Sequence, residues 1–99
     1  MDIKIKAIHF DVSQQLTAFI EKKVSKLQQY NEDVISAEVT LKVVKPETVE
    51  NKDVQIKLLI PNNDLFAGKV ANSFEEAVDV AVEALERQLV KIKEKNRQK

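Results

Sequence analysis

The sequence predicts an α+β domain of two layers, with its elements in the order strand, helix, strand, strand, strand, helix. Two stretches place apolar residues at three- and four-residue steps, as amphipathic helices do. Four shorter stretches carry the alternating or short apolar runs of strands. A right-handed crossover through the first helix makes strands one and two parallel, while hairpin connections make the remaining pairs antiparallel. We therefore expect a four-stranded mixed sheet with both helices on one face and water on the other.

The first half of the chain predicts a strand, a helix and a second strand. Strand one is predicted over 2–9, where apolar residues alternate with charged ones. After Ser13 the apolar residues recur every three or four positions instead of every second one, which predicts a helix over about 14–30. The side chain of Ser13 can cap this helix. The apolar face of that helix consists of Leu16, Phe19, Ile20, Val24, Leu27 and Tyr30. Strand two, about 35–43, shows the clearest alternation in the chain.

The middle of the sequence predicts a loop followed by a β-hairpin. Residues 45–53 are polar and include a proline, which favours an exposed loop after the second strand. Strand three is predicted over 54–60 and strand four over 65–70, with turn-forming residues at 61–64 between them. The single glycine, Gly68, indicates a bulge or a site of close packing in strand four.

The second helix is predicted from Ser73 to about Lys95. Ser73 and Glu76 have the spacing of a capping box, in which each side chain accepts a hydrogen bond from the other residue's backbone N–H. The apolar face of this helix consists of Phe74, Ala77, Val78, Ala81, Leu85, Leu89 and Ile92. With 99 residues and no internal repeat, the chain is expected to be a single domain with a basic tail at about 94–99.

Composition narrows the classes of function. Hydrophobic residues make up 43% and charged residues 32% of the chain, which is enough apolar matter for a folded domain. There is no cysteine, which excludes disulfides and cysteine-bound zinc and fits a reducing compartment, so we expect a cytoplasmic protein. The charged start lacks the apolar core of a secretory signal, and no window is long enough to span a membrane, so no membrane partner is expected.

The sequence also lacks the motifs of catalysis and of nucleotide binding. The single histidine, His9, falls at a strand end without a cysteine or a recognisable serine motif to pair with it. A phosphate-binding loop needs several glycines, and Gly68 stands alone. The acidic pairs at 32–33 and 75–76 have ordinary roles in a loop and at a helix start. We therefore expect no enzyme, cofactor, metal site or small-molecule substrate.

Positive charge is unevenly distributed, although the net charge of the chain is zero. Residues 87–99 contain six basic side chains and one acidic one, whereas residues 71–86 contain five acids and no base. Acids at the start and bases at the end of a helix complement its dipole, and this stabilisation alone could account for the acidic first half and basic second half of helix two. The alternative is a local site for an anionic partner, since a neutral chain has no overall field to attract a polyanion.

Helical periodicity places the basic residues along the borders of both apolar faces. These rows, which we call the basic margins, consist of Arg87, Lys91 and Lys95 on helix two and of Lys22 and Lys26 on helix one. Lys23 lies close enough to the core that its stem must run along apolar surface. An anionic partner is favoured because the basic run passes the last helical turn, recurs on helix one and is joined on the open sheet face by Lys4, Lys6, Lys42 and Lys57.

The aromatic residues do not predict base stacking. Phe66 is interpreted as strand packing and Tyr30 as the end of a helical face, while Phe19 and Phe74 belong to the predicted core. Recognition is therefore expected to depend on backbone phosphate and shape rather than on base identity.

Four segments share their order and spacing with a known family. They are Phe-Asp-Val-Ser at 10–13, Lys-Val-Ser-Lys-Leu-Gln-Gln-Tyr at 23–30, Leu-Lys-Val at 41–43, and Leu-Glu-Arg-Gln-Leu-Val-Lys at 85–91 with Lys93 and Lys95 after it. On these segments the chain resembles the ribosome hibernation-promoting factors, also called ribosome-associated translation inhibitors or sigma modulation proteins. The resemblance covers nearly the whole chain, and its most specific part is the Arg-Gln-Leu followed by lysine.

The resemblance implies a fold with this element order, similar to double-stranded-RNA-binding domains with one more strand. It implies binding to the small ribosomal subunit in the channel of messenger and transfer RNA, which blocks translation and protects idle ribosomes in stationary phase or stress. By position, the contacts to ribosomal RNA would be Lys23 and Lys26 on helix one and Arg87, Lys91, Lys93 and Lys95 on helix two. Lys22 is added from the helical periodicity alone. No DNA partner is expected.

The chain departs from the family pattern at the start of helix two, where residues 73–77 are more acidic than the usual Asp-Met-Tyr. It resembles a short-form member, so dimerisation of ribosomes by this chain alone is not implied. A different function stays open, namely a protein-interaction module that uses the open sheet face or the edge of strand four. The salt dependence of binding distinguishes the two functions, because the affinity for RNA falls at moderate salt whereas the affinity of an apolar protein contact does not.

Overall fold

The computed structural model describes residues 1–44, 50–61 and 63–97, the last four of these in backbone only. Its elements are β1 (Asp2–Ile8), α1 (Gln14–Ser25), a 3₁₀ turn (Lys26–Gln29), β2 (Ser36–Val43), β3 (Lys52–Ile60), β4 (Asn63–Ala71) and α2 (Phe74–Arg97). The sheet order is β1-β2-β3-β4, with β1 parallel to β2 and the other pairs antiparallel. The predicted α+β class, element order and mixed sheet are confirmed.

Helix α1 begins where the sequence predicts but changes its geometry before it ends. The backbone N–H of Leu16 donates to Ser13 Oγ at 3.1 Å, which caps the first turn. The last turn is 3₁₀, and the N–H of Tyr30 closes it by donating to the carbonyl of Leu27 at 3.1 Å. A 3₁₀ turn rotates about 120° per residue, whereas the periodicity used for the prediction assumes about 100°. The predicted direction of the side chain that follows the turn is therefore wrong. Tyr30 is consequently 36% exposed rather than part of the apolar face.

Helix α2 is capped at its start and runs two residues beyond the predicted end. The N–H of Glu76 donates to Ser73 Oγ at 3.1 Å, as the capping-box spacing predicts. The N–H of Ala77 donates to the carbonyl of Ser73 at the same distance, which closes the first helical turn. Glu75 and Glu76 lie in this first turn, where acidic side chains favour the helix dipole.

The core lies between the sheet and the two helices. Alternate residues of β2 and β3 are buried, and their neighbours in sequence point to the open face, as the predicted alternation requires. The largest fully buried side chains are Ile20, Leu27, Leu41, Ile56, Leu58, Leu85 and Leu89. Phe10 stacks on Phe74 with 5.2 Å between ring centroids, which joins the start of α2 to the connection between β1 and α1. The helices are therefore held in fixed positions on one side of the sheet.

Strands β3 and β4 are longer than predicted. Lys52 pairs with Ala71 and Ile60 pairs with Asn63, so both strands continue through polar residues that the sequence favours in loops. The predicted loop 45–53 is shorter for the same reason, and its part 45–49 lies outside the described residues. Cross-strand pairing outweighs the weak turn preference of single polar residues at exposed strand ends.

Gly68 pairs in regular register with Gln55, so it marks close packing and not a bulge. A Cβ built at this position would lie 2.5 Å from Gln55 Oε1. Gln55 in turn donates from Nε2 to Asp53 Oδ1 at 2.9 Å, which holds its side chain across the glycine. The glycine therefore leaves room for this polar side chain on the open sheet face.

Candidate nucleic-acid interface

Two residues of the basic margin of α2 lie beside Tyr30, the residue that follows the 3₁₀ turn. Arg87 and Lys91 are both exposed and line a shallow surface cavity of about 330 Å³. Tyr30, Glu86 and Val90 complete the walls of this cavity. Tyr30 thus lies beside two cations of α2.

Lys93 lies on a second cavity next to the first. This cavity measures about 350 Å³ and is lined by Ile92, Lys93 and residues 29–33. Tyr30 belongs to both cavities, so Arg87, Lys91 and Lys93 all lie around it. Lys95 follows in the backbone of α2, and its side chain lies outside the described part of the chain.

The two helices run in the same direction, so their basic ends are neighbours. Lys23 of α1 contacts Asp79 in the first half of α2, and Tyr30 shares a cavity with Arg87 in its second half. Lys22 and Lys26 are exposed, and Lys26 precedes Tyr30 by about one helical turn. The basic margins of both helices therefore lie toward one pole of the helical layer. The first acidic turn of α2 lies toward the other.

Lys23 differs from the other predicted contacts because it already has a partner. Its Nζ lies 3.1 Å from Asp79 Oδ1 and 5.6 Å from the centre of the Phe19 ring. The stem therefore runs along apolar surface, as predicted, and the side chain is only 31% exposed. Two acids of α2 approach the first half of the chain, since Asp79 contacts Lys23 and Glu86 lines a cavity with Tyr30. Lys23 consequently offers less free charge than Lys22 or Lys26.

The open sheet face is not the basic surface that the sequence suggested. Three of its four lysines lie across from carboxylates, since side chains at paired positions share one face. The pairs are Lys4 with Glu38, Lys42 with Asp53, Lys57 with Glu38, and Lys57 with Asp64 in an ion pair of 3.8 Å. Lys6 lies across from Thr40. This face is therefore mixed in charge rather than purely basic, because alternation along one strand does not reveal the charge on the next.

Phe66 is a second residue that the sequence misplaced. It is 63% exposed on the open face of β4, and Lys57 Nζ lies 5.9 Å from its ring centre. The interpretation of Phe66 as a packed strand residue is wrong, because no other layer covers the side chains on this face of β4. The backbone carbonyl of Phe66 accepts a hydrogen bond from Gln88 Nε2 at 2.9 Å. Helix α2 thereby occupies a backbone group on the outer edge of β4 that an added strand would need.

His9 lies at the end of β1 with a φ of 67°, in the left-handed region. No group of three histidine, cysteine or acidic side chains forms a metal site in the described ranges 1–44, 50–61 and 63–93. Within the same part of the chain, neither helix is long and apolar enough to cross a membrane. The geometry around the basic margins is thus the most informative feature for function.

A family comparison agrees with the sequence pattern. Residues 3–97 match the family model described as Sigma 54 modulation protein / S30EA ribosomal protein. The chain belongs to this family. The resemblance stated from four short segments is therefore confirmed over nearly the full length.

Named relatives of the family include ribosome hibernation promoting factors. The protein of that name from Pseudomonas putida is 27% identical over 95 residues, which cover 96% of this chain and 89% of that one. The factor from Azotobacter vinelandii is 26% identical over 95 residues, with 96% and 85% covered. The ribosome hibernation promotion factor of Deinococcus radiodurans is 31% identical over 84 residues, 84% of this chain but 44% of that longer protein.

Solved structures show the same fold. A ribosomal subunit interface protein from Coxiella burnetii superposes with a TM-score of 0.84 at 24% identity, covering 94% of this chain and 98% of that one. The N-terminal domain of Protein Y from Thermus thermophilus gives a TM-score of 0.80 at 22% identity, with 93% and 99% covered. The two-layer arrangement that places the basic margins is thus also found in these two structures.

Proposed function

We propose that this protein is a ribosome-associated inhibitor of translation that binds the small ribosomal subunit in the cytoplasm without catalysing a reaction. Family membership and the names of its relatives support ribosome association. The observation that carries the binding site is that Arg87, Lys91 and Lys93 of α2 line the two cavities that share Tyr30, the residue that follows the 3₁₀ turn. The proposed contacts to ribosomal RNA are Lys22, Lys23, Lys26, Arg87, Lys91, Lys93 and Lys95.

These cations would act on phosphate groups. Each Lys or Arg that neutralises a phosphate releases condensed counterions, so the affinity falls as salt rises. The two-layer core keeps both helices in place, so cations from two segments reach the RNA together without a large ordering cost. The bulk of the domain would then occupy the channel of messenger and transfer RNA, which stops translation and protects idle ribosomes.

Co-sedimentation with purified small subunits tests the proposed surface. The first variant combines Lys26→Gln, Arg87→Gln and Lys91→Gln on the basic margins. It should lose binding in moderate salt, and the slope of log affinity against log salt should fall by roughly 0.7 to 0.9 for each contact removed. Circular dichroism should show an unchanged fold, because all three side chains are exposed.

A matched control changes the same charge on the open sheet face. It combines Lys4→Gln, Lys6→Gln and Lys42→Gln, which are also exposed. This control should co-sediment like the unchanged protein. Equal loss in both variants would mean that only the total charge matters, and equal retention would contradict the proposed RNA contacts.

Occupation of the channel has its own test. Small subunits saturated with the protein should bind less initiator transfer RNA and less short messenger RNA than free subunits. Simultaneous binding of all three at full occupancy would contradict the position in the channel while leaving subunit binding intact.

A second candidate function rests on Phe66, whose 63% exposure on the open face suits an apolar protein partner. The neighbouring charges are paired across strands, so such a contact should withstand salt that releases RNA. Phe66→Ser should abolish it and leave small-subunit binding unchanged. Unchanged binding of the protein partner by Phe66→Ser would contradict this second function.

A further inference from the structure

Tyr30 has the position of a stacking platform within the basic surface. Tyr30 is 36% exposed and directly follows the 3₁₀ turn. The backbone is held by its hydrogen bond to Leu27, whose side chain is fully buried. An exposed aromatic side chain on a fixed backbone loses little conformational freedom when a flat group binds to it.

The surroundings of Tyr30 combine apolar surface with cations. Val90 lines the same cavity and is 39% exposed, which offers an apolar wall beside the ring. Arg87 and Lys91 line the same cavity, and Lys93 lines the second cavity to which Tyr30 belongs. Such a site suits an uncharged flat group with anions attached on either side.

Acidic groups also face this region, and they restrict where an anion can lie. Glu86 lines the cavity with Arg87, while Glu32 and Asp33 line the cavity with Lys93. A phosphate directly over these carboxylates would be repelled. The phosphates must therefore lie at the exposed cations, with the neutral base between them over Tyr30.

We propose that Tyr30 stacks on an unpaired RNA base while Arg87, Lys91 and Lys93 bind the phosphates beside it. This inference rests on the proposed function and adds single-stranded RNA as the class of ligand at that surface. The bases of an A-form duplex are stacked on one another and present only their edges, so a duplex cannot cover the ring. Stacking on an aromatic ring is tolerant of sequence, because every base has a flat face.

The chain offers a specific probe, since it contains one tyrosine and no tryptophan. Protein labelled with 3-fluorotyrosine gives a single ¹⁹F resonance, which reports on Tyr30 alone. Titration with an octamer of riboadenylate should shift this resonance. An RNA duplex of eight base pairs and inorganic polyphosphate should shift it much less at equal occupancy. Equal shifts for all three ligands would show that charge alone moves the signal and would overturn the proposal.

Variants separate stacking from charge. Tyr30→Leu should weaken binding of the riboadenylate octamer by roughly 5- to 100-fold without changing the salt slope. Tyr30→Phe should keep most of the affinity, because it keeps the ring. Arg87→Gln should instead lower the salt slope by roughly 0.7. Circular dichroism and thermal unfolding establish that each variant is folded.

Purified small subunits distinguish failure of this inference from failure of the proposed function. If the unchanged protein binds small subunits and Tyr30→Leu binds octamer and subunit equally well, stacking is refuted while the proposed function stands. If the unchanged protein binds neither, the proposed function and the inference fall together. The inference is supported when Tyr30→Leu weakens both and Tyr30→Phe restores both.

Discussion

The contact between Lys23 and Asp79 yields a prediction that separates stability from binding. Asp79→Asn replaces the carboxylate, whose Oδ1 lies 3.1 Å from Lys23 Nζ, by a neutral amide of about the same size. The two side chains are 31% and 46% exposed, so solvent screens the pair, and such pairs contribute about 0.2 to 1 kcal/mol. Lys23 keeps its position over Phe19. We therefore expect the free energy of unfolding to fall by about 0.5 kcal/mol, or roughly 2 to 4 °C in Tm for a domain of this size.

The same substitution should strengthen binding to the small subunit. It releases the ammonium group of Lys23 and removes a negative charge near the basic margin of α1. If Lys23 then reaches a phosphate, the slope of log affinity against log salt should steepen by roughly 0.7 to 0.9. Conversely, Lys23→Gln should cost less affinity than Lys26→Gln, because Asp79 already neutralises Lys23 in the free protein.

The assay is equilibrium binding of fluorescently labelled protein to purified small subunits at several KCl concentrations. Glu21→Gln provides a control with the same change of charge, since Glu21 is exposed on α1 about 200° around the helix from Lys23. Asp79→Asn should bind more tightly than this control. Equal affinity of the two variants, or a weaker Asp79→Asn, would refute the assignment of Lys23 as a restrained RNA contact.

Three further predictions concern the fold. Leu85→Ala removes a fully buried side chain and should cost about 2 to 5 kcal/mol in urea unfolding, and a loss below about 1 kcal/mol would contradict its central place in the core. The effect of Gly68→Ala on the free energy of unfolding should be more favourable by about 0.5 to 1 kcal/mol in a Gln55→Ala background than in the unchanged protein, because the new Cβ then no longer meets the Gln55 amide. Additive effects of the two substitutions in thermal unfolding would argue against that contact. His9→Val should lower Tm by several degrees whereas His9→Gly should not, because a φ of 67° is unfavourable for a β-branched side chain, and equal Tm values would argue against this backbone conformation.

Local patterns were sufficient for the order of elements and for the topology of the sheet. Alternation in β2, helical periodicity in α2 and the serine at each helix start depend only on neighbouring residues. The parallel pairing of β1 with β2 follows from the handedness of a crossover connection, which is nearly invariant. These features could therefore be predicted before any contact was known.

The charge environment of the candidate site could not be predicted in the same way. Lys42 was expected on a basic face, yet the register brings it across from Asp53. Lys23 was expected to be available, yet the parallel arrangement of the helices brings Asp79 to it. The exposure of Tyr30 depends on one 3₁₀ turn, whose hydrogen bonding the helical period does not reveal. The first two outcomes depend on contacts between segments distant in sequence, and the third depends on a local change of hydrogen-bond spacing.

Acetylation of lysines shows directly whether the cations of α1 and α2 form one RNA-binding surface without the sheet lysines. It is measured by mass spectrometry in the free protein and in its complex with small subunits. We expect protection of Lys22, Lys26, Lys91 and Lys93 in the complex and continued reactivity of Lys4, Lys6 and Lys42. Protection of the sheet lysines, with the helix lysines still reactive, would show that the protein binds through the sheet instead.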